Sequence, residues 1–248
     1  MTSNTVLFET YDLTGKTMLI TGAAGGIGSE TARLCAAAGA RLVLADVVPV
    51  EAIKASNEDL AGTAIFRQCD TSKRAAVETL AREIGPVDIL ADTAGICPRD
   101  DWMAPDWDEA FDRVIDVNVR GPINLVRAFL PGMMERKQGR VVLCGSIAGW
   151  TGGVLSSPHY TAAKGGVHAL VRWFAQRATP HNVCVNGVAP GPVDTGMTRG
   201  EGYTPEKFPL KRMGTAEELA NLIAFLVSPG ASFIAGTVID ANGGVYMR

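Results

Sequence analysis

Short apolar runs rich in β-branched residues alternate with longer stretches of helical periodicity along nearly the whole chain. The runs at 17–21, 41–46, 63–68, 89–92, 140–144, 184–188 and 237–239 have the length and composition of strands. Between them, the 3.6-residue pattern predicts helices near 27–38, 49–60, 72–84, 107–137, 160–178 and 215–227. That alternation is the signature of repeated βαβ units, so we expect an α/β fold with a parallel sheet of about seven strands flanked by helices. Local chemistry agrees at several boundaries: Thr215 with Glu218 three residues on forms a capping-box pattern, and Gly39 follows the first helix. No repeat, low-complexity tract or linker interrupts the rhythm, which predicts one domain over 1–248. Only 190–214 lacks periodicity, and an irregular stretch of that length in a compact domain suggests a substrate lid.

Size and charge narrow the reading. A chain of 248 residues with 47% hydrophobic content can bury a large core and suits one sizeable domain better than two small ones. The net charge of -3 arises from interspersed residues without basic blocks, which argues against nucleic-acid and anionic-membrane partners. Residues 1–12 carry no basic segment followed by an apolar stretch, and no later run approaches a membrane span. The five cysteines, Cys35, Cys69, Cys97, Cys144 and Cys184, are scattered and show no metal-ligand spacing, so they read as reduced buried thiols. A soluble, cytoplasmic protein without a metal site is the expectation.

The stretch Thr21 to Gly28, TGAAGGIG, follows the first strand and opens a helix. Glycines there permit a tight turn and let backbone N–H groups and the helix N-terminus approach a pyrophosphate. Gly22, Gly26, Ile27 and Gly28 are the candidate contacts; the alternative is a plain glycine turn. Asp46 ends the second strand where a carboxylate hydrogen-bonds the adenosine ribose of NAD and repels the 2′-phosphate of NADP. With Val47 and Val48 after it and no basic residue in the loop, NAD is preferred over NADP, unless Asp46 is only a solvated strand end. Asp70 with Thr71 meets the adenine edge or, alternatively, Asp70 caps the next helix.

Chemistry enters with Ser146, Tyr160 and Lys164. Residues four apart on a helix share a face, so the Lys164 ammonium can sit near the Tyr160 hydroxyl and lower its pKa. A tyrosine so assisted can take a proton from an alcohol while hydride leaves for a nicotinamide. Ser146, rather than Ser156 or Ser157, closes a strand at the ligand-binding edge of the sheet. Taken singly, a turn-capping serine, a helix-start tyrosine and a solvated lysine are the plainer readings.

These residues together with Asn118, the loop Thr21 to Gly28, Pro190-Gly191 with Thr195, the stretch Pro209 to Gly214, and Asn242-Gly243-Gly244 resemble the short-chain dehydrogenase/reductase family over essentially the whole chain. The resemblance implies a single-domain, Rossmann-like, doubly wound parallel sheet, nicotinamide-dependent interconversion of alcohols and ketones, and a homotetramer or homodimer. It assigns Tyr160 as acid/base, Ser146 as the hydrogen-bond partner of the substrate oxygen, Lys164 as modulator of Tyr160 and ribose contact, and Asn118 as support for a proton-carrying water. Ala94, Gly95, Pro190, Gly191, Val193 and Thr195 are carried over as further cofactor contacts. One departure stands out: Asp92-Thr93 replace two asparagines commonly found before Ala-Gly, and we expect backbone N–H groups to satisfy Asp92 at some cost in stability. Near Asn118, Pro122 lacks an N–H, which predicts a kink with a freed Asn118 carbonyl and a water site beside Lys164, or else a helix that starts near Val119 with the proline in its first turn.

Around the expected pocket fall Cys97, Ile147, Trp150, Leu155, His159 and Met197, with Ile96, Trp102, Val154, Tyr203 and Phe208 nearby. That apolar and aromatic lining favours a neutral or modestly polar secondary alcohol. The alternatives are a 3-oxoacyl-[acyl-carrier-protein] reductase-like enzyme, which usually uses NADPH, and a catalytically silent dinucleotide-binding regulator. Small apolar residues on the helices near 118–137 and 160–178 are where the resemblance puts the subunit contact.

Overall fold

In the computed structural model, which describes residues 10–153 and 155–248, seven strands form one wholly parallel sheet in the order β3-β2-β1-β4-β5-β6-β7. The strands are β1 (Thr17–Thr21), β2 (Arg41–Asp46), β3 (Ile65–Gln68), β4 (Ile89–Asp92), β5 (Gly139–Cys144), β6 (Val183–Pro190) and β7 (Val238–Ala241). The helices between them are α1 (Gly26–Ala37), α2 (Val50–Ala55), α3 (Arg74–Ile84), α4 (Trp107–Ile115), α5 (Gly121–Glu135), α6 (Ala148–Thr151), α7 (Pro158–Ala178) and α8 (Ala216–Val227). The first residues of the N-terminal segment read above, and Val154, lie outside the described residues.

The two-residue period of a strand explains why the β runs are apolar throughout. In β1, Leu19 joins a core with Val126 and Phe129 of α5 and Val171 of α7, whereas Met18 and Ile20 join a second core with Ala32 of α1 and Ile223 of α8. Both faces of the sheet are therefore sealed by helices, as parallel sheets require. β1 pairs with β2 on one side and β4 on the other, so the chain reverses its direction of travel across the sheet at this strand. A crevice opens at such a switch point, outside the carboxyl ends of the strands. Thr21, Asp46, Asp92 and Cys144 occupy those ends.

Several boundaries differ from the sequence pattern: β3 begins only at Ile65, and β7 runs over Val238–Ala241. β6 continues to Pro190, two residues beyond the expected end, because Ala189 and Pro190 still pair with Asp240 and Ala241 of β7. The helix expected over 49–60 stops at Ala55 and resumes as a short 3₁₀ turn at Glu58–Leu60. The long helix expected over 107–137 divides into α4, a π-helical turn at Asp116–Arg120, and α5. Pro122 lies in the first turn of α5, where its missing N–H costs no bond, and the Gly121 N–H reaches back five residues to the Asp116 carbonyl. The sequence signal for a disturbance at Asn118 thus corresponds to a widened helical turn rather than a sharp break.

Candidate active site

The crevice at the switch point is a trough of about 780 Å³ walled by the glycine loop, Asp46, Val47, Asp70, Thr71, Ala94 and Gly95. Gly22 has φ +70°, and a Cβ there would lie 2.6 Å from the Ala94 nitrogen, so the first loop and the end of β4 touch backbone to backbone. A Cβ on Gly28 would overlap the Gly22 carbonyl oxygen and come within 2.8 Å of Thr93 Oγ1. Gly25 at the N-cap of α1 provides no side-chain cap, which leaves the first N–H groups of that helix available to an anion. A pyrophosphate fits such a cradle. Asp46 accepts from the Ala24 N–H at 3.0 Å and the Val48 N–H at 3.3 Å, which fixes its carboxylate at the trough wall. Asp70 accepts from both the N–H and the hydroxyl of Ser72, at 3.0 and 2.6 Å, in a local turn; the N-cap of α3 is Lys73, three residues after Asp70, so Asp70 does not cap α3.

A second cleft of about 640 Å³ continues from the trough; Ile27, Thr93, Gly95, Thr195 and Met197 line both. Ser146, Tyr160 and Lys164 share its wall, joined by Pro190, Gly191 and Val193 at the end of β6. Tyr160 and Lys164 project from one face of α7 and are both buried. Ser146 leaves the end of β5; its hydroxyl accepts from the Ala148 N–H at 3.1 Å, and its own N–H donates to His168 Nε2 at 3.4 Å. Asn118, within the π turn, clamps the chain after β4: Nδ2 donates to the Ile96 carbonyl at 2.9 Å and the Val114 carbonyl at 3.1 Å, while Oδ1 accepts from the Ile96 N–H at 3.3 Å. A Cβ on Gly95 would meet Asn118 Oδ1 at 2.8 Å and Lys164 Nζ at 3.2 Å, so these two side chains converge over that glycine.

Burial dominates the electrostatics of the phenol. The Tyr160 phenol is pushed up from its ordinary pKa, chiefly by burial and then by the nearby Cys97, with only the hydrogen bond to Ser146 opposing. Lys164 Nζ donates to the Cys144 carbonyl at 2.9 Å and stands 5.7 Å from the centre of the Tyr160 ring.

Of the expected pocket residues, Cys97, Ile147, Leu155 and Met197 line the cleft, together with Tyr203 and Phe208. Trp150 does not. From α6 it turns toward α7, stacking on His168 with centroids 4.1 Å apart and donating to Asp240 at 3.0 Å. His159 also lies outside the cleft, because neighbouring helical residues are rotated by about 100° and the face carrying Tyr160 is not its own. It is buried with Nε2 3.1 Å from Asp100 Oδ2 and its ring 5.0 Å from that of Trp107. Ile96 faces the dinucleotide trough, and Trp102 is exposed. Among the described residues, no group of His, Cys, Asp or Glu is arranged to hold a metal ion, and no helix is long and apolar enough to cross a membrane.

A family model described as enoyl-(acyl carrier protein) reductase matches residues 22–246. An uncharacterized short-chain type dehydrogenase/reductase of Sinorhizobium fredii is 36% identical, with 95% of this chain and 99% of that protein aligned. The 3-oxoacyl-[acyl-carrier-protein] reductase FabG of Vibrio cholerae is 35% identical over the same shares of each chain. Among solved structures, a 3-oxoacyl-[acyl-carrier protein] reductase with bound NAD from Brucella melitensis superposes with a TM-score of 0.86 at 29% identity, covering 100% of this chain and 97% of that one. The chain belongs to the short-chain dehydrogenase/reductase family. It is an oxidoreductase of that family, whose members bind a nicotinamide dinucleotide.

As a short-chain dehydrogenase/reductase, the protein is unusual at Asp92. The carboxylate is buried, accepting from the Thr21 hydroxyl at 2.6 Å and from the Ala94 N–H at 3.2 Å. One backbone N–H and one hydroxyl thus replace the purely backbone set expected from sequence. Burial, the dominant influence, pushes the Asp92 pKa up; the Thr21 hydrogen bond and then the Lys164 charge oppose it. Three contributors to the site escaped sequence reasoning. Thr93 Oγ1 donates to the Thr21 carbonyl at 2.7 Å and tightens the trough floor. His168 supports Ser146 from behind; it lies one helical turn after Lys164, which was the available signal. Arg99 enters the substrate cleft from a loop with no periodic pattern.

Proposed function

We propose that this short-chain dehydrogenase/reductase interconverts a secondary alcohol and a ketone with NAD(H), using Tyr160 as the acid/base. The observation carrying this reading is the shared wall: Ser146, Tyr160 and Lys164 border one cleft that runs directly into the glycine-walled trough. A nicotinamide dinucleotide supplies a hydride donor or acceptor when bound. The chain's residues supply the rest. In reduction, the Tyr160 hydroxyl donates its proton to the ketone oxygen, and Ser146 Oγ hydrogen-bonds that oxygen to hold the carbonyl carbon in place. A phenol held above its ordinary pKa is protonated at neutral pH, which favours the donor role; alcohol oxidation needs the phenolate and so accelerates as pH rises. Lys164 binds the nicotinamide ribose, and Asn118, which holds the turn after β4 beside Lys164, supports a proton-carrying water.

Preference for NAD over NADP is supported by Asp46 at the trough wall followed by Val47 and Val48. The trough's cations, Lys73 and Arg113, come instead from the start of α3 and from α4. We propose that 190–214 acts as a lid, since Met197, Tyr203 and Phe208 of this segment border the cleft. Assembly as a homodimer or homotetramer through α5 and α7 completes the proposal. The names of the FabG relatives favour a second reading, reduction of 3-oxoacyl thioesters. The test is oxidation of NADH and NADPH with ketones and 3-oxoacyl thioesters, and the reverse assay with secondary alcohols. Turnover of ketones with NADH at least tenfold faster than with NADPH is expected. Thioester turnover with NADPH alone selects the second reading; dinucleotide binding without turnover identifies a regulator and overturns both.

A further inference from the structure

The substrate cleft is walled by cations and no carboxylate. Arg99, Lys164 and Lys207 line it, and among the described residues no aspartate or glutamate does. Lys164 has a role in the reaction proposed above; Arg99 and Lys207 have none. Lys207 belongs to the lid, and Arg99 meets it from 104 residues away in sequence: its Nη2 donates to the Tyr203 hydroxyl at 3.2 Å, and its guanidinium carbon sits 5.4 Å from the Tyr203 ring centre. On the other side, Nε lies 3.2 Å from Glu201 Oε2. Nη1 has no hydrogen-bond partner within the described chain, and the Arg99 side chain is 23% exposed.

We propose that Arg99, with Lys207 at the rim, binds a carboxylate carried by the substrate, so that the ketone reduced here is an oxo acid. This deepens the alcohol/ketone reading above and rests on it. Glu201 shows that a carboxylate fits against this guanidinium, and Glu201 itself does not border the cleft. A guanidinium held by the Tyr203 hydroxyl on Nη2 and by Glu201 on Nε is fixed in place, and Nη1 remains to donate to an incoming carboxylate oxygen. Arg99, Lys164 and Lys207 together give the cleft wall a positive field, which favours an anionic ligand over a neutral one. The apolar walls, Ile147, Leu155 and Phe208, then accommodate the carbon chain between the ketone and the acid. The neutral or modestly polar alcohol expected from the sequence is here narrowed to one that carries a carboxylate: Arg99 and Lys207 belong to segments whose meeting the pattern of residues does not reveal.

A simple latch between Arg99 and the lid is the competing explanation, and paired substrates separate the two. The protein is assayed with NADH against 4-oxo and 5-oxo alkanoic acids and their primary amides. Wild type should prefer the acids, and Arg99→Met should reduce the acid-over-amide ratio of kcat/KM by about 30-fold, the loss expected for a hydrogen-bonded charge pair. Arg99→Lys should fall between. Glu201→Gln, which removes the internal competitor, should lower KM for the acids several-fold while leaving the amide KM within about twofold. A latch predicts instead that Arg99→Met and Glu201→Gln damage acids and amides alike, and that outcome overturns the proposal. So does a wild-type preference for amides or for neutral 3-oxoacyl thioesters. Absence of turnover with every ketone in both series overturns the underlying alcohol/ketone reading as well, which keeps the two failures distinct.

Discussion

The dinucleotide trough and the substrate cleft meet along one edge of the sheet but are built in opposite ways. The trough is made of backbone: glycines at 22, 25, 26 and 28, the turn after β4, and a carboxylate fixed by two N–H groups at the end of β2. The cleft is made of side chains delivered by the β4–α4 loop, α7 and the segment after β6, so that Arg99 and Tyr203 touch across 104 residues of sequence. A backbone-built site has little room for change, because a Cβ added at Gly22, Gly25 or Gly28 competes with main-chain atoms. A side-chain-built site can be retuned residue by residue, and differences in substrate within one fold reside there.

The largest effect should come from breaking the trough. Gly28→Ala puts a methyl group into the Gly22 carbonyl and against Thr93 Oγ1, and NADH affinity measured by fluorescence should drop by at least about 100-fold; a loss under threefold would show that the loop yields. Next comes the support beneath the cleft. Burial, followed by the charge of Arg172, lowers the His168 pKa from 6.5 to about 4, which keeps Nε2 free to accept from Ser146. As pH falls below 6.5 the unfolded chain takes up a proton that the native ring refuses, so stability is lost progressively down to about pH 4, by at most ~3 kcal/mol. Denaturant midpoints measured between pH 7 and 4.5 should show this slope in wild type and a shallower one in His168→Gln.

Asp46→Ala sharpens the contrast at the cofactor side, since it removes repulsion without rebuilding the wall. The ratio of NADH to NADPH efficiency should fall by about tenfold, the size of one modest charge interaction. The smallest effect lies at Asp92, with a sign opposite to that of His168. Its carboxyl is pushed up by burial, so the native state binds a proton more readily than the unfolded chain, and stability falls as pH rises through the native pKa. Asp92→Asn should therefore raise the melting temperature at pH 7 by a few degrees, for a gain of about 1 kcal/mol. A lowered melting temperature would mean that the Thr21 and Ala94 hydrogen bonds outweigh the cost of burying the charge.

The same contrast explains what could be read from sequence. Strand positions and the trough were legible because their signals are local: period, β-branching, glycine spacing and strand-end acids. The capping box at Thr215 forms as its sequence indicates, with Glu218 N–H donating to Thr215 Oγ1 at 3.2 Å and Thr215 N–H to Glu218 Oε2 at 2.8 Å. Ser146, Tyr160 and Lys164 were recognisable because spacing on α7 and position after β5 bring them together. Orientation was harder. Nothing local shows that Trp150 turns to Asp240 or that His159 turns to Asp100, because those partners come from distant elements. Nor does the four-residue spacing of Tyr160 and Lys164 show that the Cys144 carbonyl claims the ammonium.

The claim that Tyr160 delivers the proton is tested most directly by single-turnover oxidation of bound NADH, followed by absorbance, with a reducible ketone in wild type and in Tyr160→Phe. The phenylalanine variant keeps the ring and loses only the hydroxyl. NADH binding should be retained while the rate falls by about a thousandfold or more, within the range for a removed general acid. A Tyr160→Phe rate within tenfold of wild type would contradict the account.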